Sequence, residues 1–170
     1  MTHTPEITEY ASYYKGVMEL VDTDNIIHTL KSVHVETQDL LSSLTEEQGV
    51  FRYAEGKWSI KDVIQHCIDC ERVFAYRALR ISRGDTNALS GFDQDEWVAN
   101  TNVSKRTIEE LANEAFVVRS GTIALFESFT IDQLMLLGNA SNNALSVRSI
   151  GFIIPGHERH HINVIKERYL

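Results

Sequence analysis

Two histidines four residues apart, His157 and His161, sit in the C-terminal segment GFIIPGHERHHINVIKERYL. On a helix this spacing stacks two imidazoles on one face about 6 Å apart, close enough for both to reach one divalent ion. At about 100° per residue His161 falls about 40° from His157, with Ile150, Ile154 and Val164 within about 60° on either side. The pair therefore occupies the middle of a stripe that faces a core, where a bundle ordinarily carries Leu or Ile. His160 falls at the edge of this stripe and Glu158 outside it. A third candidate, His66, closes the run WSIKDVIQH at the border of the apolar face of an earlier helix. On the same helix Glu71 lies within about 20° of the centre of that face, between Cys67 and Phe74. A carboxylate in such a place needs a partner. A metal ion, a histidine N–H, a substrate proton taken as general base, and an arginine all qualify. His34, on the inner face of the first long helix, either lines the same cavity or is a hydrogen-bonded core histidine. His3 and His28 read as surface residues.

Three neutral imidazoles from two helices, with no obligatory fourth protein ligand, leave a coordination position for water or substrate. An ion held in this way is a Lewis acid that activates water or a thiol. Ligand chemistry of this kind suits zinc and also accepts nickel or copper. Cys70, one turn beyond His66, is a candidate soft fourth ligand; with that position closed, the ion would serve only to stabilise the bundle. In the third reading no metal binds and the histidines are core packing. The CIDC pair (Cys67, Cys70) lies two turns inside a helix, away from the helix N-terminus that depresses the thiol pKa in redox pairs, so Cys67 reads as structural.

The elements that must hold these residues are helical. From Asp24 to Leu44 the positions Ile26, Ile27, Leu30, Val33, Thr37, Leu40, Leu41 and Leu44 repeat at three-four spacing, with Asp22 or Asp24 as N-cap. TEEQGVFRYAEGKWS shows no stripe and reads as a loop. Ser59 with Asp62 opens a second helix to about Ser82, ended by Arg83 and Gly84. Residues 86–103 read as a long crossover packed by Phe92 and Trp97, of the kind that borders a site. A third helix follows from Ser104 to about Phe129, then a Gly/Asn/Ser turn at 138–143, and a last helix from Val147 to about Tyr169 with a kink at Pro155. No strand pattern competes with these helices. With a short N-terminal piece around Tyr10–Leu20, the prediction is an all-α four-helix bundle in a single domain, residues 1–170.

Composition bounds the partners. At 43% apolar and 24% charged residues the chain is globular, and a net charge of -8 disfavours nucleic acid and anionic membrane. Apolar runs are too short to span a bilayer, and the N-terminus lacks a signal-peptide core. Two cysteines three apart cannot staple a secreted fold, so a cytoplasmic location is expected.

The runs Lys57–Asp85, GFDQDEWV (Gly91–Val98) and Gly151–Leu170 together make the chain resemble the DinB-like, or YfiT-like, four-helix-bundle superfamily along nearly its whole length. That resemblance implies an up-down-down-up bundle, usually a homodimer, with zinc or nickel held by three histidines, here His66, His157 and His161. It further implies action on a small-molecule substrate, as in thiol-S-transferases that use low-molecular-weight thiols, a thiol-dependent isomerase, and members described as metal-dependent hydrolases. Glu71 is the candidate catalytic carboxylate.

Overall fold

The structure, a computed structural model, describes residues 4–21 and 23–170; the readings placed on His3 and Asp22 lie outside them. Four long helices form wherever the apolar period runs longest, and each begins at a side chain that takes up a free backbone N–H. Two short helices bracket the first of the four. The first of the four is α2 (Ile26–Ser43), and the short pair around it is α1 (Lys15–Met18) and α3 (Glu46–Val50). The others are α4 (Ile60–Ser82), α5 (Gln94–Ala99), α6 (Ile108–Glu127), α7 (Ile131–Leu134) and α8 (Val147–Arg168). The Ser59/Asp62 capping box starts α4 as its sequence requires, and Thr107/Glu110 and Ser146/Ser149 do the same for α6 and α8. For α2 the cap is Asn25, which accepts the His28 N–H at 3.0 Å; Asp24 sits one residue too early.

Cross-helix contacts give the topology. Ile26 packs at Gly151 and Thr37 meets Glu158, so α2 and α8 run parallel. Trp58 and Tyr169 pair at one end of α4 and α8, where the Tyr169 hydroxyl donates to the Trp58 carbonyl, so these two are antiparallel. Lys61 and Gln65 on α4 both contact Arg106, which immediately precedes α6, so α4 and α6 run parallel. The order is up-down-down-up, and α4 and α8, which carry the three histidines, are adjacent. Parallel neighbours cannot be joined by a tight turn, and residues 83–107 supply the crossover, with Phe92 and Trp97 stacked 4.3 Å apart. Among the described residues no helix is long and apolar enough to cross a membrane.

Two local expectations are corrected. The segment after α2 is not all loop, because Thr45 and Gln48 form a capping box that starts the short α3. Five residues are too few for an apolar stripe to show. The turn at 138–143 is the tip of a hairpin, β1 (Leu137–Ala140) against β2 (Asn143–Ser146), in which Ser141 and Asn142 both have positive φ (53° and 63°). That is the backbone of a type I′ turn, built without the Gly that usually signals one.

The apolar core divides in two. One part gathers Ile26, Leu30, Phe74, Ile81, Phe126 and Ile150, the other Val33, Leu41, Ile64, Leu111, Ile162 and Ile165. Along the helices the polar residues Glu71, Arg119, His157 and Glu158 fall between them. Helix α8 passes through Pro155 without interruption and buries it fully, so His157 and His161 stay in one helical register. A Cβ on Gly156 would lie 2.3 Å from the Val17 carbonyl oxygen, which is how closely α1 seats on α8. Gly156→Ala should therefore destabilise the fold by about 1–3 kcal/mol. Gly121→Ala, in the exposed interior of α6 with nothing within 4 Å, should stabilise it by about 0.5–1 kcal/mol. Urea denaturation of the two variants checks the opposite signs.

Candidate metal centre

His66 from α4 and His157 and His161 from α8 point the same ring nitrogen at one place. The Nε2 atoms of His66 and His161 each lie 3.2 Å from the Nε2 of His157, and the three ligand atoms are within 4.8 Å of one another. Ligands at about 2.0–2.1 Å around a tetrahedral zinc are separated by about 3.3–3.4 Å, close to the two separations at His157. Burial keeps the rings neutral. It lowers the His66 pKa to about 4 and the His161 pKa to about 3, with the other imidazoles adding to the depression at His161. His157 is depressed well below the ordinary value by burial and by its two partners. Neutral imidazoles can each turn an unprotonated nitrogen to the centre, an arrangement that a cation between them satisfies.

The surroundings orient the rings. The Trp58 ring packs 4.9 Å from that of His66. The Cys70 sulfur sits 3.6 Å from the His66 Nδ1, and burial pushes its thiol up to about 12, so it is a neutral neighbour at physiological pH. Asp95, on α5 of the crossover, is close enough to favour the charged form of His66. Beyond His157 lies a cavity of about 340 Å³ walled by Tyr13, Tyr14, Phe74 and Phe92 and reaching Cys70 and Arg77.

Behind the histidines is a buried ionic cluster. Arg119 donates from Nε and Nη2 to the two oxygens of Glu71, both at 2.8 Å, from Nη2 also to Glu158 at 2.6 Å, and from Nη1 to the Leu30 carbonyl at 2.9 Å. Thr37 Oγ1 lies 2.7 Å from the other Glu158 oxygen. Burial opposes the charge on Arg119, but Glu158 and Glu71 outweigh it and raise the arginine pKa. Burial raises the Glu158 pKa against the pull of Arg119. Of the partners open to Glu71 in the sequence, the arginine is the one present, and both carboxylate oxygens are occupied by it. Glu71 does not join the three histidines.

A model of the DinB superfamily matches residues 29–165. The chain belongs to the DinB superfamily. An Oceanobacillus iheyensis protein named "Putative metal-dependent hydrolase OB0413" is 27% identical over 157 residues, covering 88% of each chain. The solved structure titled "YfiT from Bacillus subtilis is a probable metal-dependent hydrolase with an unusual four-helix bundle topology" matches with a TM-score of 0.76 at 18% identity, over 85% of this chain and 83% of that one. A DinB-like protein of Bacillus subtilis, YjoA, matches with a TM-score of 0.59 at 18% identity, over 83% and 87%.

For this DinB-superfamily chain the helical wheel gives the core-facing side of His157 and His161 and leaves His66 at a border, which the structure resolves inward. Glu158, placed outside the stripe, is buried, because α8 packs against α1, α2 and α4 and has no single wet side over residues 147–158. Arg119 continues the inner series Leu111, Ala115, Thr122, Phe126 at helical spacing, the one signal in the sequence that marks it as buried. His34 stands apart from the cluster. Its two ring nitrogens are buried without a hydrogen-bond partner and its ring lies 5.6 Å from Phe116, so it is not the hydrogen-bonded core histidine anticipated as an alternative. His28 and His160 are exposed.

The depressed histidine values fix a pH dependence. Between about 4 and 6.5 the unfolded chain binds more protons at these histidines than the folded one, so stability rises with pH across this window. The contribution is complete above about 6.5 and is lost as pH falls toward the folded values. Metal-free protein should show a melting temperature that declines through this range. His161→Leu should decline less steeply, as read by thermal melts at a series of pH values.

Proposed function

We propose that His66, His157 and His161 hold one divalent ion, zinc or nickel, and that the protein is a metal-dependent enzyme acting on a small molecule that enters through the cavity beside His157. The observation that carries this reading is the convergence of three neutral imidazoles, two of them with Nε2 3.2 Å from that of His157 and all three within 4.8 Å. When bound, such an ion supplies Lewis acidity that activates water for hydrolysis or a thiol, including a low-molecular-weight thiol, for transfer. The names given to the Oceanobacillus and YfiT proteins favour the hydrolytic form.

The chain's own residues hold and tune the site. Trp58 and Cys70 flank the His66 ring and leave its Nε2 facing the two histidines of α8. Glu158 and Glu71 share Arg119, and through it they fix the height of α8 against α4. With both carboxylates ionised the cluster carries one negative charge in excess, which suits a dication next to three neutral imidazoles. Glu71 enters as a positioning residue. Free thiols at Cys67 and Cys70 support a reducing, cytoplasmic setting. Exposed Val35, Phe116 and Val117, on α2 and α6, support the homodimer implied by the family resemblance.

Protein purified without a histidine tag or chelator should carry about one zinc or nickel per chain by mass spectrometry. His157→Ala should lose the ion while circular dichroism shows nearly unchanged helix content; full metal retention would overturn the assignment. Light scattering should return twice the mass of one chain, and a monomer at micromolar concentration would remove the dimer.

A further inference from the structure

Along α4 the residues His66, Cys70, Phe74 and Arg77 follow at spacings of four, four and three, which places them on one face. The last three line the cavity beyond His157. The Arg77 Cα lies about 16 Å along the helix from that of His66. Arg77 is only 4% exposed, yet its hydrogen bonds run to neutral acceptors, the Ser90 carbonyl at 2.7 Å and the Ser141 hydroxyl at 3.3 Å, both from Nη2. Its guanidinium also lies over the Phe74 ring, 5.7 Å from the centroid. The other two buried arginines among the described residues are paired with carboxylates: Arg119 with Glu71 and Glu158, Arg148 with Glu9. A buried guanidinium whose acceptors are all neutral pays a desolvation penalty without a counter-charge. Its remaining donors form a fork suited to an oxyanion. The charge is felt across the cavity, where Arg77 pulls down the pKa of both the Tyr14 hydroxyl and the Cys70 thiol against larger effects of burial.

We infer that Arg77 is the anion-recognising residue of the substrate cavity, and that the ligand is a small carboxylate with an apolar or aromatic body. The inference deepens the metal-site reading and rests on it for the position of the reacting end, near His157. The chemistry selects the class. Arg77 is the only cationic side chain lining the cavity among the described residues, which matches a single negative charge rather than a phosphate dianion. Tyr13, Tyr14, Phe74 and Phe92 offer ring faces and edges to an apolar body. The site is assembled from three parts of the chain: the guanidinium from α4, the Ser90 carbonyl from the crossover, and the Ser141 hydroxyl from the hairpin tip.

The test uses phenylacetate and its uncharged analogue phenylacetamide as probes, titrated calorimetrically into the full-length protein, both zinc-loaded and chelator-treated. Wild type should bind phenylacetate at least about tenfold more tightly than phenylacetamide in both preparations, the size expected of a charge-assisted pair. Arg77→Gln should lose that preference with phenylacetamide affinity unchanged, and Arg77→Lys should restore part of it. Equal affinities for the two probes in wild type would overturn the inference. So would an unchanged preference in Arg77→Gln, no binding of phenylacetate at millimolar concentration, or a preference that vanishes on metal removal, which would put the carboxylate on the ion. Should Arg77→Gln fail to fold, the two-probe comparison on chelator-treated wild type decides alone. A preference that depends on Arg77 in a protein found to bind no metal would sink the metal reading and leave this one standing.

Discussion

A single buried guanidinium ties the four long helices together. Arg119 belongs to α6, bonds Glu71 of α4 and Glu158 of α8, and donates to the Leu30 carbonyl of α2. Removing Arg119 would leave two carboxylates in the interior without a counter-charge, so the arrangement hangs on this one side chain. Glu158 is the chain neighbour of His157, so the contact that sets the depth of α8 also sets the position of the middle histidine. The two apolar clusters are generic packing and would tolerate some sliding of one helix along another. The ionic layer between them has one register.

The bundle's order of helices makes the rest of the site possible. Because α4 and α6 run parallel, the chain must travel the length of the molecule between them, and that crossover is where α5, Phe92 and Ser90 come from. The hairpin before α8 is held to the same crossover through the bond from the Leu89 N–H to the Asn139 carbonyl and the one from the Ser141 N–H to the Leu89 carbonyl, both 2.9 Å. Connections that a simple up-and-down bundle would not need thus become the walls of the cavity beside His157. The rigid helices supply the ligand atoms and the connections supply the access.

Neutral histidines and paired ions share the same buried layer for one reason. Burial disfavours charge, so an ionisable side chain there either gives up its charge, as the three imidazoles do, or finds an opposite one, as Arg119 does. Arg77, buried but facing an open cavity, follows neither course.

Where the long helices run, how α4 is capped, and that His157 and His161 share a core-facing side are legible in the sequence alone. The reason is that these features depend on hydrogen bonds and side-chain spacing within a few residues of chain. Even Glu71 could be recognised as a buried carboxylate in need of a partner. Which partner it takes, and that Glu158 joins it, was decided only by tertiary structure, since Arg119 is 48 residues from Glu71 and 39 from Glu158 along the chain. The same holds for His66 meeting His157 across 91 residues, a contact that the family resemblance implied and the periodicity of either helix could not supply. Local periodicity says which way a side chain faces; what it meets there depends on how the helices are ordered around the bundle and at what height they lock.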